Sequence, residues 1–206
     1  MTIEAVRDLV IRLTVSTGSL AALGLTLDER VTGAQLDPAI KAEIDHLLGA
    51  LGARGMLDGV SSAELKPVLA EIRTTLLQGA KLLLNPTSGP GWTHTEAEIL
   101  QSQGEVSAAF PVLWKQAIAP RPEGLSRRLE STDGAFLDVG AGIGALSIAM
   151  ARLWPSLRVV GIEPWRPALA IARENVRMAG LSTRIELREQ AVQDQAGIRS
   201  DGTLGP

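Results

Sequence analysis

The strongest constraint on this chain is the run Phe136-Leu137-Asp138-Val139-Gly140-Ala141-Gly142-Ile143-Gly144. A short apolar segment ends in a carboxylate, three alternate glycines follow, and an alanine-rich apolar helix pattern begins directly after them. Glycine lets a backbone turn tightly and approach a ligand with no Cβ in the way. A helix starting there directs its unpaired N–H groups at that ligand. This is the opening of a nucleotide-binding α/β unit.

The alternation continues beyond it. Ala135–Val139 reads as a buried-type strand, and Leu146, Ala149, Met150 and Leu153 form the inward face of a helix that Pro155 ends. Leu157–Ile162 is a second strand, closed by Glu163-Pro164. Pro167 opens another helix, with Leu169, Ala172, Val176 and Ala179 inward and Gly180 at its end. Arg184–Arg188 alternates as a third strand, Ile185 and Leu187 sharing a face. The order β-α-β-α-β requires a parallel sheet with right-handed crossovers. The expected fold class is α/β: an all-α N-terminal segment followed by the first half of a doubly wound, Rossmann-like sheet.

The preceding residues read as helices. Val6, Leu9, Val10 and Leu13 make one apolar stripe, while Gly18 and Gly24 leave residues 16–36 without an assignment. Asp37 can cap a helix beginning at Pro38, with Ile40, Ile44, Leu47, Leu48 and Leu51 on its face and Gly52 or Gly55 after it. A third helix starts near Ser61–Lys66, tolerates Pro67 early, and carries Val68, Leu69, Ile72, Leu76, Ala80 and Leu83 until Asn85-Pro86 stops it. Pro86–Gly91 is the candidate hinge. Residues 94–118 return to a helical pattern, and Leu125–Leu129 adds a further turn. The expected domains are 1–85 (helical, dimerising), 86–130 (linker and helices capping the cofactor site), 131–194 (partial Rossmann-like unit) and 195–206 (irregular tail).

Composition narrows the partners. A net charge of -3 without a Lys/Arg cluster argues against nucleic acid. The absence of cysteine excludes disulfides, thiolate-bound zinc and a thiol nucleophile, and no metal site is expected. Glu4 and Asp8 are unlike a signal peptide, and no apolar run approaches membrane-spanning length. A cytoplasmic protein with no membrane partner is expected.

Two ligand classes compete for the glycine loop. Gly140-x-Gly142-x-x-Ala145 fits the dinucleotide pattern, with Glu163 near the ribose position. Asp138 argues the other way, because a carboxylate beside a pyrophosphate repels it. S-adenosylmethionine (SAM) has no phosphate and presents an ammonium and a sulfonium, which suit that charge.

Asp138-Val-Gly140-Ala-Gly142-Ile-Gly144, followed by Val159-Val-Gly-Ile-Glu163-Pro-Trp165, resembles the class I SAM-dependent methyltransferases. The helical N-terminal segment is similar to that of small-molecule methyltransferases of bacterial secondary metabolism. The resemblance places Asp138 near the methionyl ammonium, with Gly140, Ala141, Gly142 and Gly144 lining the cofactor. It implies that Glu163 accepts hydrogen bonds from both ribose hydroxyls, and that Pro164 and Trp165 lie by the adenine. Gln190, with Ala191 beside it, stands where the family often has an acid that binds the adenine amino group. Trp92, His94, Phe110 and Trp114 fit either a substrate pocket or core packing, and His46 is expected in solvent.

The regular pattern ends by about Asp194, whereas the family's sheet continues with a fourth strand beside the first. The chain is therefore expected to be C-terminally truncated, with the catalytic half absent and no catalytic residue to assign. The resemblance implies that strand 135–139 is central, buried on both faces and paired on both edges; without a fourth strand its open edge would invite association. The leading expectation is a SAM-dependent methyltransferase acting on a small molecule, inactive in this form if that half is required. The alternatives are a non-catalytic SAM-fold binding or dimerising protein, with a homodimer through the N-terminal helices, and a NAD-binding oxidoreductase fragment.

Overall fold

The computed structural model describes residues 2–53, 55–85, 87, 92 and 94–192. The tail expected at 195–206 and most of the hinge at Pro86–Gly91 lie outside the described residues. The chain divides into two compact units, Met1–Trp92 and Thr93–Pro206.

The first unit is three helices, α1 (Ile3–Thr32), α2 (Pro38–Ala50) and α3 (Ser62–Leu84). Residues 16–32, unassigned from sequence, continue α1 without a break through Gly18 and Gly24. Packing explains the second glycine: a Cβ there would come within 3.0 Å of the Ile72 side chain on α3. Leu27, Leu65, Leu69 and Ile72 form the core of this unit. The Asp37 cap and the start of α3 agree with the sequence reading. Asp37 accepts from the backbone N–H groups of Ala39 and Ile40, and Ser61 with Glu64 forms a reciprocal capping box.

The expected apolar faces are only partly buried. Ile40, Val68 and Leu83 are exposed, as are Ile3, Val10 and Leu13 at the start of α1. As a helix, α1 is long and apolar enough to cross a membrane by length and composition, with 11% of that stretch buried. This corrects the expectation drawn from unbroken apolar runs, because Gly, Ser and Thr interrupt a run without lowering the helix average much. A core helix passes the same measure.

The second unit begins with α4 (Ala97–Leu113), which runs into a π turn at Trp114–Ile118 and then α5 (Leu125–Glu130). The wider turn is seen in the Ala119 N–H, which donates to the Trp114 carbonyl five residues back. Alternating elements follow: β1 (Ala135–Val139), α6 (Ala145–Leu153), β2 (Arg158–Ile162), α7 (Arg166–Met178) and β3 (Ile185–Arg188). Strand order is β1-β2-β3, parallel throughout, with Asp138 opposite Gly161 and Val159 opposite Ile185. This is the expected first half of a Rossmann-like sheet.

The open edge expected on β1 is seen among the described residues, while the burial expected of a central strand is not. Among the described residues β1 pairs only with β2, so it is an edge strand, and Ala135 and Val139 at its ends are exposed. The core of this unit lies instead over β2, where Met150, Trp154, Leu157, Val159, Val176 and Ile185 pack together. Trp114 joins that core edge-on to Phe136 at 6.0 Å, and Phe110 leans on Trp114 at 5.9 Å.

Candidate functional site

The site is built at the carboxyl ends of β1 and β2. Parallel pairing carries past the end of β1, where the N–H groups of Gly140 and Ala141 both donate to the Ile162 carbonyl, at 2.9 and 3.0 Å. The chain then turns through Gly140, Gly142 and Gly144, all with φ between 53° and 78°, a region that a Cβ makes costly. Gly144 caps α6 without a side-chain acceptor, leaving first-turn N–H groups of that helix unmatched within it.

Two buried carboxylates lie under this loop. Asp138 is 4% exposed and Glu163 is 8% exposed. Asp138 accepts a 2.6 Å hydrogen bond from the Ser147 hydroxyl on α6. Burial pushes its carboxyl above the ordinary range; the Ser147 hydrogen bond opposes this, and the nearby Glu163 charge adds to it. Glu163 divides its two oxygens. Oε2 accepts the Gly142 N–H and Oε1 accepts the Trp165 N–H, each at 2.9 Å.

The other expected residues are arranged around this pair. Pro164 is exposed and Trp165 half-buried at the start of α7, while Gln190 and Ala191 are half-buried just after β3. The parallel sheet brings these residues to the same end as the glycine loop. Of the residues weighed for a substrate pocket, Trp114 packs into the core, and His94 lies 3.8 Å from the Glu96 carboxylate. His46 is exposed, as expected.

Two residues escaped the sequence reading. Ser147 sits within an apolar helix stripe, and only its completely buried hydroxyl on Asp138 marks it. Asn175 donates from α7 to the Ile143 carbonyl at 3.0 Å. Its signal was a polar side chain bordering the inward stripe of Leu169, Ala172 and Val176. No group of three or more His, Asp or Glu side chains suited to a metal occurs among the described residues.

Chemically, the loop offers backbone N–H groups and the floor offers two carboxylates with no cation bonded to either among the contacts of the described residues. Such a donor set favours a ligand that carries positive charge and hydroxyls over one that carries a pyrophosphate.

Comparison with known proteins agrees with the geometry. Residues 136–201 match the family described as a methyltransferase domain. The release factor glutamine methyltransferase of Rhodopirellula baltica is 30% identical over 101 residues, covering 44% of this chain and 33% of that protein. The tRNA (guanine-N(7)-)-methyltransferase of a Nocardioides species is 30% identical over 105 residues, or 50% of this chain and 42% of that one. The chain thus spans less than half the length of these curated relatives. The solved mitomycin 7-O-methyltransferase MmcR aligns with 94% of this chain and 67% of its own, at 18% identity and a TM-score of 0.55, a likeness of fold. Residues 136–201 thus resemble a methyltransferase domain in sequence, and the fold of the chain is like that of MmcR.

Proposed function

We propose that this chain binds SAM in the glycine loop and transfers its methyl group to a small-molecule acceptor. One observation carries the reading: two buried carboxylates, Asp138 and Glu163, converge beneath a loop of three glycines, with no Lys or Arg side chain bonded to either among the described residues. A dinucleotide pyrophosphate would bring like charge into that field. An ammonium and a sulfonium lower its energy.

The residues present fit the group. Glu163 keeps acceptor capacity on both oxygens after its two backbone bonds, enough for a vicinal diol. Gly140, Gly142 and Gly144 leave room for close approach, Asp138 supplies negative charge, and Trp165, Gln190 and Ala191 would flank the base. When bound, SAM supplies an electrophilic methyl on a sulfonium. The chain's own contribution is to hold and orient the donor, which is where much of such a rate enhancement arises. No side chain among the described residues is placed as a general base.

The small-molecule acceptor is favoured by the whole-chain likeness to MmcR, which includes helices before the sheet. The two curated relatives, whose names specify a release factor and a tRNA, match only about half of this chain. Exposed Ile3, Val10 and Leu13 on α1 support pairing of the N-terminal helices between two copies.

Calorimetric titration with SAM, S-adenosylhomocysteine and NAD tests the cofactor. Binding of the first two without NAD is expected; NAD binding with neither of the others would overturn the assignment. Radiolabelled SAM with a panel of phenolic and amine acceptors tests transfer. Binding without transfer to any acceptor would favour a non-catalytic SAM-binding protein.

A further inference from the structure

Three consecutive residues of the glycine loop are fastened to the β2–α7 segment. The Gly142 N–H donates to Glu163, the Ile143 carbonyl accepts from Asn175, and Gly144 lies where a Cβ would come within 3.3 Å of the Ala172 Cβ. Glu163 is central to this, since one carboxylate joins residues 21 apart in sequence. Its other oxygen accepts the N–H of Trp165, the N-cap residue of α7, whose own side chain makes no cap bond. Both bonds are made within the chain itself, and the carboxylate that makes them is buried.

We propose that Glu163 is a positioning residue that clips the glycine loop to the start of α7 before any ligand arrives, and that the clip persists when the site fills. The inference rests on the SAM reading only for what fills the site. A carboxylate can accept about four hydrogen bonds. Two are used here, so a ligand's hydroxyls add to Glu163 without displacing the backbone. The loop then has little ordering entropy left to lose on binding, since its backbone is already fixed. The acid thereby acts twice, as a fastener of the empty loop and as an acceptor in the filled one.

Amide hydrogen exchange of the full chain, resolved at Gly142 and Trp165 by NMR, tests this without any measurement of activity. In the ligand-free wild type both amides should exchange at least tenfold more slowly than in an unstructured chain. Glu163→Ala should abolish that protection at both positions. Glu163→Gln, with one carbonyl acceptor in place of two oxygens, should keep it at no more than one. Saturating SAM should raise protection at Gly142 in the wild type. Unprotected Gly142 and Trp165 in the free wild type would overturn the proposal, and this arm needs no variant to fold. A fall in Gly142 protection on adding SAM would overturn persistence of the clip. Protected amides in a protein that does not bind SAM would leave the clip standing and sink the cofactor assignment instead.

Discussion

Removing Arg184 should damage the second unit without touching its site. The Arg184 guanidinium lies at the start of β3 and gathers carbonyls from the end of α6 and the turn into β2. Nη2 donates to Ala151 at 2.7 Å, and Nη1 donates to Pro155 at 2.6 Å, with longer bonds to Trp154 at 3.2 Å and Leu157 at 3.5 Å. A hydrogen bond from a charged donor is worth about 1.5–3 kcal/mol. The two short bonds would sum to about 3–6 kcal/mol, but water can replace the partner of the exposed Pro155 carbonyl. A loss of about 2–4 kcal/mol for Arg184→Ala is therefore expected. Arg184→Lys should recover about half, because a single ammonium cannot present the planar fork that reaches both carbonyls. Urea unfolding followed by tryptophan fluorescence is a suitable assay, since Trp154 is 2% exposed beside the clamp. The glycine loop lies at the opposite end of the parallel strands, so ligand affinity measured well below the unfolding midpoint should be unchanged. A loss under about 0.5 kcal/mol for the alanine variant, or full equivalence of lysine, would refute the clamp.

Two substitutions in the loop separate strain from charge. Gly140→Ala and Gly144→Ala both force a Cβ into left-handed backbone, at φ 72° and 78°, costing about 1–2 kcal/mol. Only the second also meets a neighbour, Ala172, so denaturation should rank Gly144→Ala as the more damaging; equal losses would show that the contact is irrelevant. Asp138→Asn should stabilise the ligand-free protein at neutral pH while weakening SAM binding. Because burial raises the Asp138 carboxyl in the fold, the native state binds that proton more tightly than the unfolded chain does. Wild-type stability from this group is then greatest at low pH and is lost as pH rises from the ordinary aspartate range through the raised folded value. Melting temperatures recorded from pH 4 to 7 should show the advantage of the Asn variant closing towards acid, and a gap that widens there would contradict the assignment.

The parts of this fold that were legible share a physical cause. Leu169, Ala172 and Val176 bury one face of a helix, and Val159 and Ile162 bury a strand, so hydrophobic period alone located α7 and β2 within a residue or two. Asp37 announced its helix because a capping oxygen acts within three residues of itself. What was missed depends on neighbours distant in sequence. Continuity of α1 through Gly24 is set by its approach to Ile72, and no local preference encodes that contact. The expected centrality of β1 came from a family's sheet, whereas its pairing depends on which strands are at hand.

The site divides along the same line. Asp138 and Glu163 could be singled out because a carboxylate at the end of a buried strand is costly unless something offsets it. What offsets it could not be read. Glu163 is satisfied by two backbone N–H groups, and every residue except proline carries one, so the partner leaves no trace in residue identity. Ser147 is a side-chain partner, yet it stands nine residues from Asp138 on an element whose rotation is settled only by packing. The consequence bears on how Glu163 works. A ribose-binding role requires only that the acid reach the ligand, and the motif alone suggests it. The bonds to Gly142 and Trp165 add a demand that the motif does not contain, since the same carboxylate must hold the loop while leaving acceptors free. Aspartate is shorter by one methylene and keeps the charge, but it should fail to span both N–H groups. Charge at this position is therefore not sufficient, and length decides whether both bonds are made.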